Sequence, residues 1–387
     1  MSYDIVIRGG EVIDPSQKMR QVYDVAVLDG KVVAVQESID CSDATTVIDA
    51  RGQLVTPGLI DLHVHVYPHA PLGLDPDSLC AAGGVTTMLD AGTAGSYNFD
   101  AFRRDTIDRA DTQIFSLVNL SCIGLIAANL GELLDRRYAD PDGVVATIER
   151  HRDVAVGVKI RAGAHIIGTG EQGWANLNDA IQAARNSNTW LMVHIGESPM
   201  SIPEIAEALS PGDCITHCFK AGSTRITDDS GKVFEGIQAA AERGVMFDVG
   251  HGYGSFNWDV VQNSLNCGLE PTTISTDIHA KNINGPVYDM TTTMSKFLML
   301  GVPLERVIEM STTMPAKVLN HADQLGTLRI GSVADIAVLE RLRGEFIFTD
   351  SYRQQKTGTE LLVASTTVRR GEIVPGGGGR RMQQLSE

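Results

Sequence analysis

Between residues 3 and 55 apolar and polar positions alternate with period two, over 3–8, 11–13, 22–28, 31–35 and 46–48, with Gly9-Gly10 and Asp29-Gly30 between segments. That alternation marks half-buried strands, and the glycine-containing pairs supply the positive φ of tight turns, so this stretch predicts a small antiparallel sheet. From about residue 56 the pattern changes to short, nearly continuous apolar runs. They are Leu59 to Val66, Val85 to Leu89, Gln113 to Leu120, Val154 to Ile160, Trp190 to Ile195, Cys214 to Thr216, Val245 to Val249 and Thr273 to Thr276. Helical stretches such as Asn178 to Ser187 and Phe234 to Arg243 separate them. Strands buried on both faces read as such runs, and parallel strands need a crossover between them. Eight repeats predict an α/β fold of the (β/α)8 TIM barrel type over 56–329. After Ile330-Gly331 the alternation returns in 335–339, 345–349 and 361–368. The two ends echo each other, Ile7-Arg8-Gly9-Gly10-Glu11 beside Val368-Arg369-Arg370-Gly371-Glu372. Residues 1–55 and 330–375 are therefore predicted to form one small composite β-sandwich domain beside the barrel. The residues from 376 to 387, opening on four glycines, read as a disordered tail.

Composition narrows the class. The 387 residues are 43% hydrophobic and 21% charged, as in an ordinary globular chain, and 39 glycines suit a fold with many tight turns. The 32 basic residues against 48 acidic ones leave a net charge of −16, the opposite of a nucleic-acid footprint and unsuited to an anionic membrane surface. No stretch approaches the roughly 18 apolar residues of a membrane span. The first ten residues lack the basic-then-apolar layout of a secretion signal. The six cysteines, Cys41, Cys80, Cys122, Cys214, Cys218 and Cys267, follow no disulfide or CxxC spacing and read as reduced thiols. The expected compartment is the cytoplasm, with a small-molecule partner and no nucleic acid or membrane. A homo-oligomer is left open.

In a (β/α)8 barrel the chemistry sits at the C-terminal ends of the strands. Run one ends in Asp61-Leu62-His63-Val64-His65, run four carries Lys159, run five ends in His194, run six in His217 and run eight in Asp277. Period two puts His63 and His65 on one face, where two imidazoles can share an ion. Four imidazoles and a carboxylate exceed the three protein ligands of a single catalytic zinc, so a two-metal site fits better. Two cations also want a bridging anion. Lys159 stands where that bridge is needed, and an ammonium there would be repelled. A neutral lysine that has taken up CO2 to become a carbamate would resolve the conflict. Cys214 and Cys218 bracket His217 but read as small apolar groups, and His69, His151, His165 and His321 as ordinary hydrogen-bonding residues.

At this point the chain resembles the amidohydrolase superfamily of metal-dependent hydrolases over nearly its whole length. The motifs are Thr56-Pro-Gly-Leu-Ile-Asp-Leu-His-Val-His65, Gly157-Val-Lys-Ile160, Val193-His-Ile-Gly196, Ile215-Thr-His-Cys218 and Ser275-Thr-Asp-Ile-His279, with the later Gly326 to Ala337 stretch resembling the re-entry into the β-domain. The resemblance implies that His63, His65 and Asp277 bind the more buried ion and His194 and His217 the second, with carboxylated Lys159 bridging them and zinc the usual metal. It further implies that a metal-bridging hydroxide attacks an amide or ester carbonyl, with Asp277 as general base and then general acid.

Within the superfamily dihydroorotase is the obvious neighbour, but Tyr67 stands where its HxHxR motif has arginine, and Asp277-Ile278-His279-Ala280 replaces its Asp-His-Ala-Pro. The pattern is closer to the related bacterial deacetylase-like enzymes, which implies an acyl amide or ester of a small α-substituted carboxylic acid as substrate. A cyclic amidase of the dihydroorotase or hydantoinase kind is the first alternative. A catalytically silent barrel acting as an assembly subunit is the second. An anionic substrate needs a cation at the mouth, and Arg161, sharing the face of Lys159, is the candidate. His279, Tyr97 and Asn282 are further candidates for substrate contact, with His251 behind them.

Overall fold

A computed structural model describes residues 2–375, so the tail expected over 376–387 lies outside the described residues. The first strands are β1 (Ile5–Asp14), β2 (Met19–Leu28), β3 (Lys31–Gln36), β4 (Thr46–Asp49) and β5 (Leu54–Pro57). β1 is one strand where two were expected. Its ladder to β2 slips between Ile7 and Gly10, so Gly9-Gly10 forms a bulge rather than a turn, with Gly9 at φ 66° and its amide held by Asp24 at 2.7 Å. Asp29-Gly30 is the expected turn, at φ 51° and 71°. The sheet is not purely antiparallel, because β4 and β5 both run parallel to β1.

Only Gly58 separates β5 from β6 (Leu59–Val64), and a Cβ there would meet the Thr86 side chain at 2.1 Å. With β7 (Val85–Asp90), β8 (Gln113–Asn119), β9 (Ala155–Arg161), β10 (Trp190–His194), β11 (Cys214–Thr216) and β12 (Met246–Asp248), β6 makes a seven-stranded parallel sheet in sequential order. Every residue of β6 and β7 is buried, as their continuous apolar character requires. The intervening helices include Gly170–Asn186, longer than the sequence pattern suggested, and Glu235–Arg243.

The eighth run is not a ladder strand. It makes isolated parallel bridges instead, Thr273 to Asp248 at one edge of the sheet and Ile278 to Val64 at the other. The reason is local. Asp277 turns to φ 49°, and Ser275 and Thr276 spend their hydroxyls on the carboxylates of Asp248 and Asp61 (2.7 and 2.5 Å). Both edges of the parallel sheet therefore meet the segment that carries Asp277.

The chain then returns to the first sheet through β13 (Ile336–Thr349), β14 (Gln355–Arg369) and β15 (Glu372–Ile373), in the order β15-β14-β13-β5-β1-β2-β3 with β4 beside β1. Both chain ends thus share one sheet. Its pairing is that of a single eight-stranded sheet, where a two-sheet sandwich was expected. Ile5, Ile7, Val12 and Val27 pack with Leu328, Ile336, Val338 and Val368 in a common core. The buried Asp14 carboxylate accepts from Leu328 N at 2.7 Å, and Arg369 pairs with Asp335 at 2.9 Å. Among the described residues no helix is long and apolar enough to cross a membrane.

Candidate metal centre

The strand ends bring the histidines together around Asp277. His65 Nε2 lies 3.2 Å and His63 Nε2 3.4 Å from Asp277 Oδ1, and His217 Nε2 lies 3.9 Å from Oδ2. The ring of His194 stands edge-on to His217 at 4.3 Å. One donor atom from each of His63, His217 and Asp277 falls within 4.8 Å of the others. Ligands each about 2.0–2.2 Å from one ion end up roughly 3–3.5 Å apart, so these gaps are close to those an ion would set.

Each of three imidazoles is turned by its other nitrogen. His63 Nδ1 meets Thr216 Oγ1 at 3.0 Å, and Thr216 donates to Asp248 at 2.8 Å. His65 Nδ1 meets Thr93 Oγ1 at 2.7 Å, and Thr93 donates to Asp90 at 2.8 Å. His217 Nδ1 donates to the Gly250 carbonyl at 2.6 Å, which leaves Nε2 without its proton, buried and with no hydrogen-bond partner among the described residues. A bare, buried acceptor is costly unless something electropositive occupies the space in front of it. Orientation through the second ring nitrogen is the arrangement found around metal-bound histidine. The residues present therefore fit a metal.

Charge states agree with that fit. Burial pushes His63 and His194 well below the usual imidazole range and takes His217 down to about 4, so all three are neutral and able to ligate. Burial would raise Asp277, but the neighbouring His65, His217 and His279 imidazoles outweigh it and hold the carboxyl below its usual range. Lys159 is buried, its Nζ 3.3 Å from His63 Nε2 and 3.3 Å from Met192 Sδ, with no carboxylate in ion-pair range among the described residues. Burial lowers it to about 8. Its stem lies on Gly92, where a Cβ would come within 2.5 Å of Lys159 Cβ.

The candidate substrate contacts fare differently. Arg161 is paired within the fold: its Nε lies 2.8 Å from Oε1 of the fully buried Glu132, and Nη2 donates to Glu132 Oε2 at 3.2 Å and to the Ala128 carbonyl at 3.3 Å. Asn129 in the same segment accepts from Lys281 Nζ at 3.4 Å, so residues 128–132 run between the end of β9 and the loop after the eighth run. Asn282 bonds within its own loop. Its Nδ2 donates to the Asp277 carbonyl at 2.7 Å and its Oδ1 accepts from His279 N at 2.9 Å, which uses both ends of the amide to shape the loop. Tyr97 is 78% exposed, and no hydrogen bond ties its hydroxyl to the histidines. His279 does reach the site: Nδ1 accepts from Lys281 N at 3.2 Å, leaving Nε2–H 4.0 Å from Asp277 Oδ2. His251 is spent elsewhere, Nδ1 on the Gly252 carbonyl at 3.0 Å and Nε2 on Lys296 Nζ at 2.7 Å.

The supporting carboxylates Asp90 and Asp248 escaped the sequence reading. The signal was present, because Asp90 directly follows apolar run two and Asp248 is the next-to-last residue of run seven. Asp61 proves to be a brace: it accepts from Thr276 N and His63 N at 3.0 and 3.2 Å, and burial raises it to about 7.

With parallel strands delivering histidines, a lysine and an aspartate to one point, the chain belongs to the amidohydrolase family, whose model matches residues 54–373, and it is a hydrolase by that membership. Among named relatives it is 37% identical to a deacetylase of Agrobacterium fabrum over 327 residues, covering 84% of this chain and 79% of that one. It is 35% identical to a deacetylase of Enterococcus faecalis over 377 residues, 96% and 99% of the two chains. Solved structures described as an adenine deaminase and a dihydroorotase superpose with TM-scores of 0.88 and 0.86, at 34% and 32% identity. They cover 96% and 95% of this chain and 99% and 98% of theirs.

Proposed function

We propose that this protein removes an acyl group, acetyl above all, from a small N-acyl or O-acyl α-substituted carboxylic acid. His63, His65 and Asp277 would hold one divalent ion and His194 and His217 a second, both zinc, with Lys159 bridging them as its carbamate. The observation that carries this reading is the bare, buried Nε2 of His217 facing Asp277 beside the anchored rings of His63 and His65. The names of the relatives support the acyl group. Segment 273–278, touching both edges of the parallel sheet, is read as the eighth strand closing a barrel, and the two chain ends as one domain.

Bound divalent ions supply Lewis acidity, polarising a carbonyl and making water acidic enough to attack at neutral pH. Asp277 takes the proton of the attacking water and gives it to the departing nitrogen or oxygen, so the C–N or C–O bond breaks as the new C–O bond forms. His279, with Nε2–H toward the site, donates to the substrate. Lys281, two residues on and hydrogen-bonded through Nζ to Asn129, is the cation that meets the substrate carboxylate, in place of Arg161.

The test is turnover of acetylated amino and hydroxy acids beside dihydroorotate, hydantoin and adenine, with metal content measured on the same protein. Preference for the acetylated acids at about two equivalents of zinc supports the reading. Far less than one equivalent of any divalent ion, or preference for adenine, overturns it. A cyclic-amidase reading is favoured by a dihydroorotase of Citrifermentans bemidjiense, 25% identical over 87% of this chain and 90% of that one. Preference for a ring substrate would establish it instead.

A further inference from the structure

Helix Met290–Met299 carries Lys296, whose side chain is fully buried. Its Nζ donates to His251 Nε2 at 2.7 Å, the Pro286 carbonyl at 2.9 Å and the Thr349 carbonyl at 2.8 Å. All three ammonium hydrogens therefore have acceptors, and every acceptor is neutral. Among the described residues no carboxylate is in ion-pair range of Nζ. Burying a charge with neutral partners alone is expensive, and an apolar side chain of that length would avoid the cost. The lysine ties the turn before its own helix and the end of β13 to the turn that follows β12.

That turn touches the metal centre twice. His251, stacked on Phe256 at 4.5 Å, is fixed at both ring nitrogens by Lys296 and the Gly252 carbonyl. On one side of it the Gly250 carbonyl receives His217 Nδ1, the contact that leaves Nε2 bare. On the other, Gly252 lies so near Asp277 that a Cβ would sit 2.5 Å from Oδ2, and a Cβ on Gly250 would sit 2.8 Å from His217 Nδ1. Ser351 Oγ braces the turn from behind, its one proton shared between the carbonyls of His251 and Gly252 at 3.2 Å each.

We propose that Lys296 is a positioning residue for the metal centre: through His251 it holds the Gly250–Gly252 turn, and the turn sets the direction of His217 and the place of Asp277. This rests on the metal-site reading above. The experiment uses the full chain, stripped and reloaded, with zinc affinity measured by competition against a chelator. Lys296→Met removes the buried charge but orphans three buried acceptors, so it should melt below the wild type, and its folded fraction should lose about ten- to a hundred-fold in zinc affinity. Its kcat should fall with KM unchanged. His251→Gln keeps an acceptor for Lys296 and should retain the affinity that His251→Leu loses. A Lys296→Met protein that binds zinc as the wild type does, or whose loss only tracks its unfolded fraction, overturns the proposal. If Lys296→Met fails to fold, the His251 pair decides, and equal affinities overturn it. Wild-type protein that takes up no zinc overturns the metal-site reading and this one with it, whereas equal binding by wild type and Lys296→Met overturns only the role of Lys296.

Discussion

Two buried lysines show how far surroundings decide what a residue does. Lys159 and Lys296 both lie in the interior, the first beside an imidazole acceptor and a thioether, the second among three acceptors. Burial takes Lys296 down to about 7, while in the unfolded chain a lysine titrates near ~10.4. Between those values the unfolded chain binds more protons than the folded one, so stability rises with pH by at most about 1.4 kcal/mol per unit. Below about 7 the cost of the buried ammonium is present in full. The melting temperature of the wild type relative to Lys296→Met should therefore climb from pH 7 to pH 10 (approximate bounds of that window), and a flat difference across thermal melts would refute it. Asn282 offers a second check. Asn282→Ala orphans the Asp277 carbonyl and the His279 amide, which should cost about 1–3 kcal/mol of stability and lower kcat at unchanged KM. A rise in KM alone would restore it as a substrate contact. Arg161 and Asn282 illustrate why such roles escape a reading of the chain: strand spacing put Arg161 on the correct face, but Glu132 arrives from a loop no periodicity describes.

At the scale of elements, period and run length located nearly every strand, because one-sided and two-sided burial leave different patterns in the chain. Where the pattern misled, a side chain or a backbone sign had replaced a ladder bond. Gly9 turns an expected hairpin into a bulge, and the hydroxyls of Ser275 and Thr276 take the place of regular pairing in the eighth run. The turn after β12 belongs to the same class. Gly252 has φ 56° and no room for a methyl beside Asp277. Gly252→Ala is expected to cost about 1 kcal/mol or more from the backbone alone. It should also displace the Asp277 carboxylate, so metal content and turnover should fall together, while Gly254→Ala, with open space at its Cβ, leaves both unchanged.

At the scale of the molecule, the first and last strands share a sheet and a core, and β5 runs through Gly58 into the first parallel strand. A chain cut before β13 would leave β5 without its antiparallel partner and expose the apolar face that Ile336, Val338 and Val368 cover. Removal of residues 330–375 should therefore abolish cooperative folding of the parallel sheet as well, as circular dichroism melts and limited proteolysis would show. A truncated chain with an intact cooperative melt would mean that the parallel sheet folds alone. The net charge of −16 says nothing of the local field where histidines, lysines and buried carboxylates converge. By itself the sequence determined the alternation of strand and helix, the return of the last strands to the pattern of the first and the polar residues that stand at the strand ends, because burial and strand period act locally and leave a trace residue by residue. Only the tertiary structure decided which polar groups spend their hydrogen bonds on one another. Glu132 on Arg161, Asn282 on its own loop, Asp90 and Asp248 behind the histidines and Lys296 on His251 are matches between segments far apart in the chain, where each partner is selected by distance in space and not by spacing along it.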